Sequence, residues 1–147
     1  MTGLDGRVHL AILERFAERG EAPSAGDVAT AIGEDADTVA QTYSRLADDH
    51  VLVLRPGTRE IWMAHPFSAV PTGFRVVNDR GSSYANCIWD ALGIPAMLAA
   101  DARIETTCPD CGEPLELRVR HGDLEPLDWV AHFAVPAVRW WDDIGHT

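Results

Sequence analysis

The chain has 147 residues, 46% of them hydrophobic, and carries 23 Asp plus Glu against 12 basic side chains, for a net charge of −11. That length allows one ordinary domain or two small ones sharing a core, and every basic residue is arginine. The charge argues against strong nonspecific attraction to nucleic acid, which depends on neutralising phosphates. No apolar run approaches a membrane span and no basic-then-apolar leader opens the chain, so a cytoplasmic protein is expected. Three cysteines, two of them spaced Cys108-x-x-Cys111, do not suggest a secreted disulfide framework.

In chain order, Leu4, Val8, Ile12 and Phe16 recur every four residues, with Leu13 beside them. This predicts a helix over residues 4–19, ended by Gly20. Ser24-Ala-Gly-Asp27 resembles a capping box with Asp in place of Glu and opens a second short helix, closed by Gly33. Asp35 caps a third helix carrying Val39, Tyr43 and Leu46. Two β-prone runs, 51–54 and 60–63, flank a Pro56-Gly57 turn. Three helices and a hairpin spell a winged-helix-like domain over residues 1–65. Such domains commonly bind DNA, but this one holds eleven acidic residues against six arginines. Its third helix, Asp35 to Asp49, sets Arg45 alone against four Asp. DNA is therefore not an expected partner.

Residues 65–83 read as a connector with a strand at 74–77. Ser82 to Ala100 reads as a helix capped by Ser82 or Ser83, with Cys87 in its first or second turn. Asp90 follows at i+3, which places its Cβ roughly 5–6 Å from that of Cys87 on one face. The positive end of the helix dipole favours a thiolate at Cys87. Pro95 is expected to break or kink the helix near Gly93. On residue types alone, Cys87 on so apolar a helix reads first as a small buried hydrophobe, and Asp90 as a solvated carboxylate.

Strands are expected at 102–107 and 115–120, forming an antiparallel hairpin tipped by Cys108-Pro-Asp-Cys-Gly-Glu-Pro114. That knuckle is half a zinc ribbon. Cys108 and Cys111 can converge on one metal, but a closed site needs two further ligands. The alternatives are a tight turn with reduced thiols, or a thiol facing Cys87. A further strand is expected at 129–135 and a short helix at 138–144, anchored by burial of Trp140 and Trp141. The fold class is α+β: the winged-helix-like helical region, then a small mixed domain with an antiparallel sheet over residues 66–147. His65, His121, His132 and His146 could supply a harder ligand, but no spacing singles one out. His132 and the tryptophans read as core residues.

Cys87-x-x-Asp90, followed by an apolar run containing Pro95, resembles the active-site segment of the organomercurial (alkylmercury) lyases. His65-Pro-Phe-Ser-Ala-Val-Pro-Thr72 resembles that family's lead-in to its catalytic domain. The resemblance implies protonolysis of a carbon–mercury bond, with Cys87 as the first thiolate and Asp90 as the proton shuttle. It implies no separate cofactor. It makes Cys87 and Asp90, with Cys108 and Cys111, the candidate mercury ligands, and an organomercurial or other thiol-reactive small molecule the substrate, assisted by small thiols. The family uses a second, late cysteine, whereas this sequence has none after Cys111. A non-enzymatic thiol or metal-binding protein and a metal-responsive transcriptional regulator are the rival readings.

Overall fold

The computed structural model describes residues 3–145. Helix α1 (Leu4–Arg19) buries Val8, Ile12 and Phe16, the stripe that its four-residue period predicts. Helix α2 (Ala25–Ile32) opens on the expected capping box. Asp27 N–H donates to Ser24 Oγ at 3.1 Å, and Ser24 N–H donates back to Asp27 Oδ2 at 3.0 Å. Helix α3 (Ala36–Asp48) is capped by Asp35, which accepts from Thr38 N–H at 2.9 Å.

Eight strands follow: β1 (Val53–Leu54), β2 (Ile61–Ala64), β3 (Phe67–Ser68), β4 (Arg75–Asn78), β5 (Gly81–Ala85), β6 (Ala102–Thr107), β7 (Pro114–Arg120) and β8 (Asp123–Leu124). They form one antiparallel sheet in the order β1-β2-β3-β5-β4-β6-β7-β8, which runs on past residue 65. Helix α4 (Ile88–Leu98) connects β5 to β6.

Sheet register separates two faces of the β4–β7 region. Val76, Ser83, Ile104 and Leu117 lie in one cross-strand row and are all buried. With Ala91 and Ile94 of α4, the apolar members of this row belong to one core cluster that continues into α1–α3. The two flanking rows carry ion pairs instead. Arg75 meets Glu105 at 2.9 Å, Arg103 meets Glu116 at 3.1 Å, and Arg118 pairs with Glu116. This alternation is why Arg118 and Arg120 are exposed while Leu117 and Val119 are not. Against β5, α1 packs close enough that Gly20 abuts the Ser82 carbonyl, and Phe16 stacks on Phe67 with ring centroids 5.2 Å apart.

Four expectations need correction. Ser82 and Ser83 do not cap a helix; they lie in β5, hydrogen-bonded to β4 across a turn in which Arg80 N–H donates to Asn78 Oδ1. Pairing with β3 and β4 outweighs the local capping tendency of two serines. Pro95 does not break α4, which runs unbroken from Ile88 to Leu98. Pro95 forfeits one hydrogen bond, but it is buried with Ala91 and Ile94. No strand forms at 129–135, where the chain runs on past Pro126 without pairing to the sheet. The expected helix at 138–144 is a 3₁₀ turn over Ala137–Asp142. No helix among the described residues is long and apolar enough to cross a membrane.

Candidate active site

A cavity of about 240 Å³ opens beside the start of α4. Three parts of the chain build it. The β2–β3 region supplies Trp62, Met63, His65 and Ser68. The end of β5 and the first turn of α4 supply Asn86, Cys87 and Asp90. The segment after β8 returns across the opening and supplies Phe133, Trp140, Ile144 and Gly145. Its lining is mostly apolar, with Asn86, Cys87 and Asp90 at the start of α4 among its polar groups.

Cys87 is the N-cap residue of α4 rather than a residue of its first or second turn. The shift follows from β5, which holds the chain extended up to Ala85 and delays the helix. The sulfur lies near the N–H groups of Trp89 and Asp90 without making a capping hydrogen bond. The expected thiolate is also overturned. Burial pushes the Cys87 thiol above its ordinary range, and the Asp90 charge adds to that, while the two N–H groups only partly offset it. Desolvation therefore outweighs the helix end and favours the thiol form of Cys87.

Asp90 is held firmly on one side. Its Oδ2 accepts from Asn86 Nδ2 at 2.9 Å and from His65 Nδ1 at 3.3 Å. The Asn86 orientation is dictated by its surroundings, since the same amide faces the Phe67 and Pro66 carbonyls at 3.2 and 3.4 Å. A carboxylate can only accept here, so the shared hydrogen sits on His65 Nδ1, with Nε2 on the far side of the ring. That Nε2 is buried and makes no hydrogen bond. Among the described residues Oδ1 of Asp90 takes no hydrogen bond, although the side chain is only 14% exposed. One oxygen is thus anchored and the other is free for a reacting group.

Of the residues singled out from sequence, Cys87, Asp90 and His65 meet in this cavity. Cys108 and Cys111 do not line it; they sit in the β6–β7 turn. In that turn, N–H groups of Cys111 and Asp110 together with the Cys111 thiol hold the Cys108 thiol below its ordinary range. His121 lies in the exposed β7–β8 turn, where its N–H donates to Asp101 Oδ1 at 2.7 Å. His132 is exposed rather than a core residue, and His146 lies outside the described residues. Trp89 is 68% exposed and Trp129 is also exposed, so the reading of the tryptophans as core fails for both. Trp140 is half-buried and lines the cavity, with its indole N–H donating to Val135 O at 2.8 Å. Trp141 is not buried either; it stacks on His50 at 4.2 Å and presents an edge to His65. These contacts seat the returning segment. Asn86, absent from the sequence reading, has no motif of its own to mark it.

Residues 67–147, more than half of the chain, match the family model of MerB, alkylmercury lyase. The chain belongs to the alkylmercury lyase family. Among solved structures, this alkylmercury lyase family member is similar to the mercury-bound form of MerB2, with a TM-score of 0.62 and 24% identity. The likeness covers 86% of this chain and 67% of that one, and it speaks to the shared fold. No curated protein matches the chain. The family match begins at Phe67 and takes in Asn86, Cys87 and Asp90, together with the whole segment that closes the cavity.

Proposed function

We propose that this protein cleaves the carbon–mercury bond of a small organomercurial by protonolysis, using Cys87 and Asp90. The observation that carries the reading is a single apolar-walled cavity in which a thiol and a carboxyl with one free oxygen stand three residues apart at a helix start.

The chemistry follows from the geometry. A buried thiol is a poor nucleophile until a soft cation reaches it, and mercury coordination removes its proton. Oδ1 of Asp90 takes that proton and the counter-ligand X of R–Hg–X leaves to solvent, giving a Cys87 S–Hg–R adduct. A second thiolate then raises electron density on mercury. Among the described residues Cys87 is the cavity's one cysteine, so a small thiol from solution fills this role. Asp90 returns the proton to carbon as the carbon–mercury bond breaks. R–H leaves, mercury stays on Cys87 and the small thiol, and Asp90 is again a carboxylate. Asn86 and His65 hold Oδ2 throughout, so the reacting oxygen is positioned before substrate arrives.

Residues 1–65 act in this reading as a winged-helix-like brace for the catalytic part, 66–147, rather than as a DNA reader. Arg45 of α3 is committed to Asp5 and Thr42, at 2.7 and 2.8 Å. The test is organic product released from an aryl- or alkylmercurial, with and without added monothiol. Release that depends on added thiol and is lost in Cys87→Ser supports the reading. Tight mercury binding without release would make the protein a mercury binder instead.

A further inference from the structure

Cys108 and Cys111 belong neither to the cavity nor to the core cluster. They frame the turn that joins β6 to β7. Backbone bonds close that turn: Cys108 N–H donates to Glu113 O at 2.9 Å, and Gly112 N–H donates to Cys108 O at 2.8 Å. Gly112, at φ +73°, turns the chain back immediately after Cys111. The N–H groups of Cys111 and Asp110, with the Cys111 thiol, hold the Cys108 thiol below its ordinary range. Both cysteines are free, and Cys111 is exposed. The turn therefore holds two soft donors side by side at the surface, and its own closure does not need them.

Coordination number decides which ion fits. A structural zinc site takes four ligands. Among the described residues no group of three or more His, Cys, Asp or Glu could hold a metal ion. Two thiolates with no further ligand suit a thiophilic ion content with two donors, and mercuric ion is one.

Strand register places the turn near the cavity. Tyr84 of β5 pairs with Arg75 of β4, and Arg75 pairs with Glu105 of β6. Beyond that row, β5 runs three residues to Cys87 and β6 runs three residues to Cys108. Both cysteines thus leave the sheet at the same end, their strands separated by two spacings, about 10 Å.

We propose that the Cys108–Cys111 pair is a second soft-metal site, which takes inorganic mercuric ion as a bis-thiolate chelate after its release from Cys87. The proposal rests on the cleavage reading only for the source of the ion. In the exchange, two new sulfur–mercury bonds form. The bonds from mercury to Cys87 and to the small thiol break, and the two protons displaced from Cys108 and Cys111 go to those departing sulfurs. No electron is transferred.

The test uses the full chain carrying Cys87→Ser, loaded with one equivalent of mercuric chloride, challenged with excess monothiol and desalted. Bound mercury and molecular mass are then measured. The expected result is one ion retained per chain, with no change in oligomeric state. Adding Cys108→Ser or Cys111→Ser should lower retention at least about tenfold, since the chelate's effective concentration is lost. Equal retention in those variants, or one ion shared between two chains, would overturn the proposal. Because the ion is supplied as its chloride, retention is read whether or not the cavity cleaves organomercurials.

Discussion

Gly20 and Gly33 offer a matched pair for measuring how tightly the helical layer is seated on the sheet. Both cap a helix in the left-handed region, at φ +69° and +71°. A Cβ at Gly33 would meet nothing within 4 Å. A Cβ at Gly20 would collide with the Ser82 carbonyl oxygen and lie 3.3 Å from its carbon and 3.5 Å from Ser83 Cα. All three atoms are backbone of β5, so no side chain can turn aside. Each Gly→Ala change costs about 1–2 kcal/mol for the left-handed conformation. Gly20→Ala must in addition push α1 from β5, loosening contacts of Phe16 with Phe67, a term of about 1–3 kcal/mol by analogy with overpacking. For a chain of this length, each kcal/mol moves the midpoint by about 2–4 °C. Thermal and urea unfolding of the two variants should place Gly20→Ala roughly 1–3 kcal/mol below Gly33→Ala. Equal stabilities would refute the close seating of α1 on β5. Since β5 delivers Cys87 to the cavity, Gly20→Ala should also speed alkylation of Cys87.

Three further outcomes are expected. Cys87, its thiol pushed up by burial, should alkylate more slowly than a model thiol near neutrality and gain rate only at higher pH; Cys108, held low by backbone N–H groups, should react first in single-cysteine variants. Asn86→Ala removes the donor 2.9 Å from Asp90 and should cost about 1–3 kcal/mol in unfolding free energy, with loss of organic product release, whereas a merely structural role would spare the rate per folded molecule. In an electrophoretic shift at low salt, the chain should show no sequence-selective retention of a random duplex pool, because α3 is acidic and its Arg45 is engaged.

The elements legible in the sequence were those whose signals are local. The stripe of α1 and the caps at Ser24 and Asp35 sit within a few residues of what they organise. The strands at 102–107 and 115–120 alternate on their own and pair with each other. Errors arose where distant partners decide. Ser82 and Ser83 look like helix caps, and only β4 and β3 make them a strand. The run 129–135 looks like a strand, but no strand among the described residues pairs with it. The site divides the same way. Cys87 and Asp90 were legible from their spacing and its resemblance. His65 could be named but not ranked, because its role depends on meeting Asp90 across 25 positions. Asn86 was invisible, since its importance lies in acceptors that the fold brings to it, the Pro66 and Phe67 carbonyls and the Asp90 carboxylate. The Cys87 thiol was misjudged because a helix end is readable in sequence and desolvation is not.

The central claim is that Asp90 carries a proton from the Cys87 thiol to carbon. The direct measurement is a single turnover of an arylmercurial in heavy water with added monothiol, scoring deuterium in the released arene. The account predicts one deuterium per arene from the wild type, and a drop of about 10²–10⁴-fold in release rate for Asp90→Asn, the range typical of a lost general acid. Release from Asp90→Asn at the wild-type rate would contradict it.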